Sequence, residues 1–146
     1  LMLRKKIQEA IEKSKEKQEI FALCFIDLNK FKKVNDEHGH HVGDMLLKHV
    51  GVVLTNIIRE EDIIARIGGD EFVILFKNLE SLEYLTLALK RIEEISKKNP
   101  LHYNEDLIIE LSFSLGVSVY PKDGEDIETL LNSADKKMYK EKKTRT

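Results

Sequence analysis

Cysteine, proline and tryptophan are nearly missing from this chain: one, two and none among 146 residues. A single thiol cannot close an internal disulfide. Cys24, set among Phe21, Ala22, Leu23, Phe25 and Ile26, therefore reads as a buried core thiol. Proline and glycine are too few and too scattered for a linker or a low-complexity stretch, and no internal repeat is present, so one domain is expected. No apolar run approaches the roughly twenty residues that span a bilayer, and no charged-then-apolar leader opens the sequence. A cytoplasmic setting is expected, with no membrane segment in this chain. Charge of one sign is not in excess either. Lys and Arg number 24 against 26 Asp and Glu, a net charge of -2 that offers nothing like a nucleic-acid coat.

What is present is apolar periodicity. Leu3, Ile7, Ala10 and Ile11 recur at helical spacing and predict an amphipathic helix to about Lys17. The pattern opens without a cap, as in a piece cut from a longer chain. Phe21 to Ile26 is an unbroken apolar run, expected to form a central strand covered on both faces and ending at Asp27. A polar stretch to Asp36 predicts a short helix or turn. Val42, Leu46, Leu47, Val50, Val53, Leu54, Ile57 and Ile58 trace a long helix ending near Arg59. His38, His40 and His41 sit in the loop before it, with no Cys or spaced His pair to complete a transition-metal set.

Ile63–Ile67 and Phe72–Phe76 predict two strands of a hairpin, with Gly68-Gly69 as a positive-φ turn and Asp70 and Glu71 at its tip, pointing to opposite faces. Leu82, Leu85, Leu89, Ile92 and Ile95 predict a helix closed by Asn99-Pro100. Leu107 to Tyr120 predicts one long strand or two short ones. Asp126 then caps a last helix with Ile127, Leu130, Leu131, Ala134, Met138 and Tyr139 toward the core and Lys136, Lys137, Lys140, Lys142 and Lys143 outside. The order predicts an α+β fold, helices packed on a mostly antiparallel sheet of about five strands.

The chemistry lies in the acids. Asp27 ends one apolar strand and Asp70 begins another, so neighbouring strands would bring both carboxylates to one sheet edge. Mg²⁺ takes one or two carboxylates together with phosphate oxygens, the arrangement of polymerase-like palms in two-metal phosphoryl transfer.

Five spaced blocks carry a resemblance to a known family. Arg66-Ile-Gly-Gly-Asp-Glu-Phe-Val holds the signature of the GGDEF family, the diguanylate cyclases. Asp27-Leu28-Asn29-Lys30-Phe31-Lys32-Lys33-Val34-Asn35-Asp36 is similar to its Asp-x-Asp-x-Phe-Lys-x-x-Asn-Asp block, and Gly39 to Asp44 to its Gly-His-x-x-Gly-Asp. Ser114-Leu115-Gly116-Val117 with Tyr120-Pro121, and Ala134-Asp135 with Met138-Tyr139, resemble its late strand and final helix.

The resemblance implies a ferredoxin-like palm, nucleotidyl cyclase-like, that condenses two GTP into cyclic di-GMP with release of two pyrophosphates. It implies two Mg²⁺ per site, with Mn²⁺ as a substitute, held by Asp27, the Leu28 carbonyl and Asp70. Glu71 would serve as base or as ligand to the second ion, and both roles stay open. Lys32, the amides around Phe31, Gly68 and Gly69, Lys142 and Arg145 would meet the triphosphate. Asn35 and Asp44 would read guanine. Catalysis would need a homodimer. Arg59, Asp62 and, on the next helix, Arg91 would form an inhibitory site for product, against the plainer reading of a charged helix end making local salt bridges.

Three departures stand out. Asn29 replaces an Asp, the end near Arg145 is one residue short and lacks a Gly, and the block Asp-x-Leu-Thr-x-Leu-x-Asn-Arg should precede residue 1. An upstream sensory module, able to attach the parent protein to a membrane, is a family habit. The competing functions are a non-catalytic receptor for GTP or cyclic di-GMP and, more distantly, a palm acting on one nucleotide.

Overall fold

The computed structural model describes residues 2–145, with only the backbone of Arg145. Helix α1 (Met2–Lys17) leads into strand β1 (Ile20–Leu28), then α2 (Phe31–His38) and α3 (His40–Ile57). Strands β2 (Ile63–Gly68) and β3 (Glu71–Leu79) form the hairpin, followed by α4 (Leu82–Lys97), β4 (Leu101–Asn104), β5 (Leu107–Ile109), β6 (Phe113–Tyr120) and α5 (Ile127–Arg145). No helix among these residues is long and apolar enough to cross a membrane.

The main sheet has four strands in the order β2-β3-β1-β6, every neighbouring pair antiparallel. Against about five expected, the described residues place four strands in this sheet and a small pair outside it. The run from Leu107 to Tyr120 forms two strands, and the first pairs with β4 in a separate two-stranded ribbon. Asn29 explains where the division falls. Its backbone N–H donates to the Ser112 carbonyl at 2.9 Å, its side-chain Nδ2 donates to Ser112 Oγ at 3.0 Å, and its side-chain Oδ1 accepts from Ser114 Oγ at 2.7 Å.

Strand β1 is buried on both faces because its alternate side chains serve two cores. Ala22, Cys24, Ile26 and Leu28 join Phe72, Ile74 and Phe76 under α3 and α4. Phe21, Leu23 and Phe25 join Val73 and Leu75 under α1 and α5. Such large aliphatic and aromatic side chains contribute about 1.5–3 kcal/mol each on burial. Cys24 is fully buried, which pushes its thiol up to about 12.

Helix α5 lies unusually close to the sheet. A Cβ placed on Gly116 of β6 would come within 2.1 Å of the Ala134 carbonyl oxygen and 2.2 Å of the Met138 nitrogen. Two residues of α5 depart from expectation. Tyr139 is 57% exposed, with the Lys143 ammonium 4.8 Å above its ring, rather than in the core. Lys142 turns inward instead of outward, because it continues the buried stripe of Ala134 and Met138 at intervals of four.

Candidate active site at the sheet edge

Strand β1 runs one residue past Asp27, which changes the acid it faces. Asp27 pairs in register with Glu71 on β3 and with Ser114 on β6. Directly opposed residues of an antiparallel pair point to the same face, so Asp27 and Glu71 share the side covered by α5. Asp70 lies in the turn just beyond, and its carbonyl accepts from the Leu28 N–H at 3.2 Å. The structure thus brings Asp27, Leu28, Asp70 and Glu71 together at one corner of the sheet.

The signature glycines act through the space they leave. Positive φ among described glycines occurs at Gly39 and Gly124, not at Gly68 or Gly69 as expected for a two-glycine turn. Gly68 pairs with Glu71, so the loop is Gly69-Asp70, a turn that forms without left-handed backbone. A Cβ at Gly69 would meet nothing within 4 Å among the described residues, and one at Gly68 would press on Glu71 Oε1 at 3.3 Å. The missing side chains keep the approach to the acids open.

The corner is short of positive charge. Asp27 is 8% exposed, and its Oδ1 has no hydrogen-bond partner among the described residues. Burial first, and the adjacent Asp70 carboxylate second, push its pKa up to about 6, partly offset by Lys142. Glu71 is raised by burial, then by Asp135 on α5 and by Asp70. The Lys142 ammonium bridges Asp27 Oδ2 and the Leu28 carbonyl oxygen, 3.2 Å from each. No three carboxylate, His or Cys side chains among the described residues already converge as an ion cage. Even so, hard oxygen donors, an orphaned carboxylate oxygen and a cation already drawn to the spot fit a hard divalent ion. Asp27, the Leu28 carbonyl, Asp70 and Glu71 are the groups that would hold it.

A pH dependence arises here with a definite sign. Both acids have raised values in the folded state, so their protonated forms stabilise it. Asp27's contribution is fully present below its ordinary value of 3.8 and is lost as pH rises through about 6. A divalent ion requires the ionised forms. A saturating excess of Mg²⁺ should therefore raise the thermal midpoint near about pH 7.5 and have little effect near about pH 5. An equal effect at both would exclude Asp27 as a ligand.

Helix α2 stands beside this corner. Lys30, at φ 65°, sits at its start without a side-chain cap, leaving the first-turn amides of Phe31 and Lys32 toward any bound anion. Lys32 is exposed and Phe31 is half-buried against the core. The chain then turns at Gly39, with φ 92°, into α3. Gly43 exists to admit Asn35: a Cβ there would lie 1.8 Å from Asn35 Oδ1, a buried oxygen with no hydrogen-bond partner among the described residues. Asp44 comes next, on the exposed side of the same turn of α3. The Arg145 side chain lies outside the described residues.

Arg59 and Asp62 are away from this corner, between α3 and β2. Arg59 Nε and Nη2 donate to Asp62 Oδ2 and Oδ1 at 3.0 and 2.8 Å, and the Asp62 side chain is 1% exposed. Asp62 Oδ1 also accepts from the Lys77 N–H at 3.1 Å, and the guanidinium lies 4.9 Å over the Tyr84 ring. The pair therefore makes local salt bridges in this conformation. Tyr84, Asp135 and the inward turn of Lys142 are site features that the sequence did not disclose. Arg91 is exposed on α4. It lies seven residues beyond Tyr84 and so on nearly the same helix face. A separate recess of about 680 Å³ lies between α4 and the start of β6, floored by Leu89, Ile92, Leu111 and Phe113, and holds none of the signature acids.

The model of the family described as "Diguanylate cyclase, GGDEF domain" matches residues 1–146. The chain is 38% identical over 139 residues to the bifunctional diguanylate cyclase/cyclic di-GMP phosphodiesterase MucR of Pseudomonas aeruginosa, covering 95% of this chain and 20% of MucR. It is 33% identical over 135 residues to the diguanylate cyclase TpbB of the same species, covering 92% of this chain and 31% of TpbB. The chain thus spans about a third or less of these relatives. The crystal structure of the TpbB GGDEF domain superposes with a TM-score of 0.94 at 29% identity, over 98% of this chain and 88% of that one. The family model and the fold agree, and the chain belongs to the GGDEF domain family of diguanylate cyclases.

Proposed function

We propose that this domain condenses two GTP molecules into cyclic di-GMP and two pyrophosphates. The supporting observation is the corner where the Asp27 carboxylate, the Leu28 carbonyl and the Asp70-Glu71 turn meet around a bound cationic group. When bound there, Mg²⁺ or Mn²⁺, two ions per site, would neutralise phosphate charge and acidify the attacking hydroxyl. Asp27, Leu28 and Asp70 supply the oxygen ligands. Glu71, raised by burial and neighbouring acids, is suited to accept the 3′-hydroxyl proton or to hold the second ion.

Lys32, the first amides of α2 and Lys142 take the triphosphate oxygens, and the bare Gly68-Gly69 turn lets them approach. Asn35 and Asp44 select guanine, because a carboxylate accepts from N1–H and N2–H donors that adenine lacks in that pattern. Each site holds one GTP, so each 3′-hydroxyl reaches the other nucleotide's α-phosphorus only when two copies of the domain face each other. Incubation with GTP and Mg²⁺ should yield cyclic di-GMP, at a rate per protomer that rises with protein concentration. A domain that binds GTP yet forms no product at any concentration is a receptor, and the proposal fails.

Product inhibition through Arg59, Asp62 and Arg91 belongs to the same reading, since a guanidinium stacks on and hydrogen-bonds guanine well. Arg59→Ala should raise the cyclic di-GMP concentration that halves the rate by about tenfold. It should also lower the thermal midpoint, because Asp62 is left buried without its partner. Unchanged inhibition would leave the pair with a structural role alone.

A further inference from the structure

One cation already stands at the metal position, and it belongs to the protein. The Lys142 ammonium is 3.2 Å from both Asp27 Oδ2 and the Leu28 carbonyl oxygen. These oxygens are the proposed ligands of the divalent ion, and the second role of Lys142 rests on that assignment. A hard ion takes such oxygens at about 2.0–2.1 Å. An ammonium bonded to the same pair would then face a like charge a few ångströms away. Lysine and ion are alternative occupants.

The fold fixes where the lysine starts. Gly116 lets α5 settle onto β6, and Met138 and Ala134, buried one and two turns earlier on the same face, aim position 142 at the sheet edge. The flexible four-carbon stem allows the charge to leave. It satisfies one oxygen of Asp27, while Oδ1 stays buried without a partner among the described residues. A single ammonium holds the corner incompletely, and a triphosphate offers it several charged oxygens in exchange.

We propose that Lys142 is a resident cation that closes the metal position in the nucleotide-free domain and moves to the triphosphate when GTP arrives, so that nucleotide and divalent ion enter together. By linkage, the nucleotide raises metal affinity by the factor that metal raises nucleotide affinity. Neither should bind well alone.

Mn²⁺ binding followed by electron paramagnetic resonance tests this, using α,β-methylene-GTP as the uncleavable nucleotide. Without nucleotide, Lys142→Met and Lys142→Gln should each bind Mn²⁺ about tenfold more tightly than the wild type. With the analogue present that advantage should vanish. Equal affinities without nucleotide would overturn the proposal. Asp27→Asn is the control for the underlying assignment. If it keeps full nucleotide-supported Mn²⁺ binding, the ligand set itself is wrong; if it loses that binding while the Lys142 variants match wild type, only the exchange is wrong. Should both Lys142 variants fail to fold, the Lys142 Cε–H resonance of the wild-type domain decides. It should move on addition of the analogue together with saturating Mg²⁺, and a stationary signal overturns the exchange.

Discussion

Asp70→Asn should lower cyclic di-GMP synthesis by about a thousandfold or more, the scale of losing several kcal/mol of charge stabilisation in the transition state. The fold should survive. Asp70 supports the sheet corner through its backbone carbonyl, which accepts from Leu28, and asparagine keeps that bond. Its carboxylate is a burden in the metal-free state, since it helps to push Asp27 upward. Removing it lowers repulsion at the corner, so thermal stability without Mg²⁺ should hold steady or rise while Mg²⁺-dependent stabilisation falls. Turnover within tenfold of the wild type would remove Asp70 from the ligand set. A collapsed midpoint would show instead that the carboxylate is structural.

Gly116→Ala should be among the most destabilising single changes available. The added methyl meets the Ala134 carbonyl oxygen at 2.1 Å, the Met138 nitrogen at 2.2 Å and the Met138 Cα at 2.8 Å, all of them backbone. No side chain can swing aside, so α5 must lift from β6. Overpacking of this kind costs about 3 kcal/mol, against roughly 5–15 kcal/mol of total stability. The thermal midpoint should drop by about 10 °C. The lifted helix also carries Lys142 and Asp135, so any folded fraction should have weakened GTP affinity. A urea titration placing the variant within about 0.5 kcal/mol of wild type would show that α5 shifts freely.

The long elements were legible because one physical signal dominated each. The apolar stripe of α3, from Val42 to Ile57, repeats at three and four, and the short unbroken run in β1 is best read as a strand buried on both faces. Strand β4 was not read, because Leu101 to Asn104 is too short for alternation to register. The run from Leu107 to Tyr120 left one strand or two open, and the place where it divides was invisible for another reason. It depends on Asn29, which lies more than eighty residues earlier and holds Ser112 and Ser114.

At the site, residue types were readable and their pairings were not. The strand ends suggested that Asp27 and Asp70 meet at one sheet edge, and the ladder adds Glu71 directly opposite Asp27 with Asp70 in the turn just beyond. The glycine pair suggested an unusual backbone, and its use is to leave space. Lys142 is a triphosphate contact by resemblance, and its inward turn was recoverable from spacing. Ala134, Met138 and Lys142 step by four along α5, which sets the lysine on the inward stripe. Its composition alone placed it with the solvated lysines around it.

The Arg59 cluster has a mechanical consequence. Strand β3 carries Glu71 at one end, and its Lys77 N–H is gripped by Asp62 six residues later, about 20 Å along the strand. Strand β3 is thus fastened along its whole length, to β1 from Leu79 to Glu71 and at its root to α4 through Arg59 and Tyr84, so the acids at its tip sit on a rigid support.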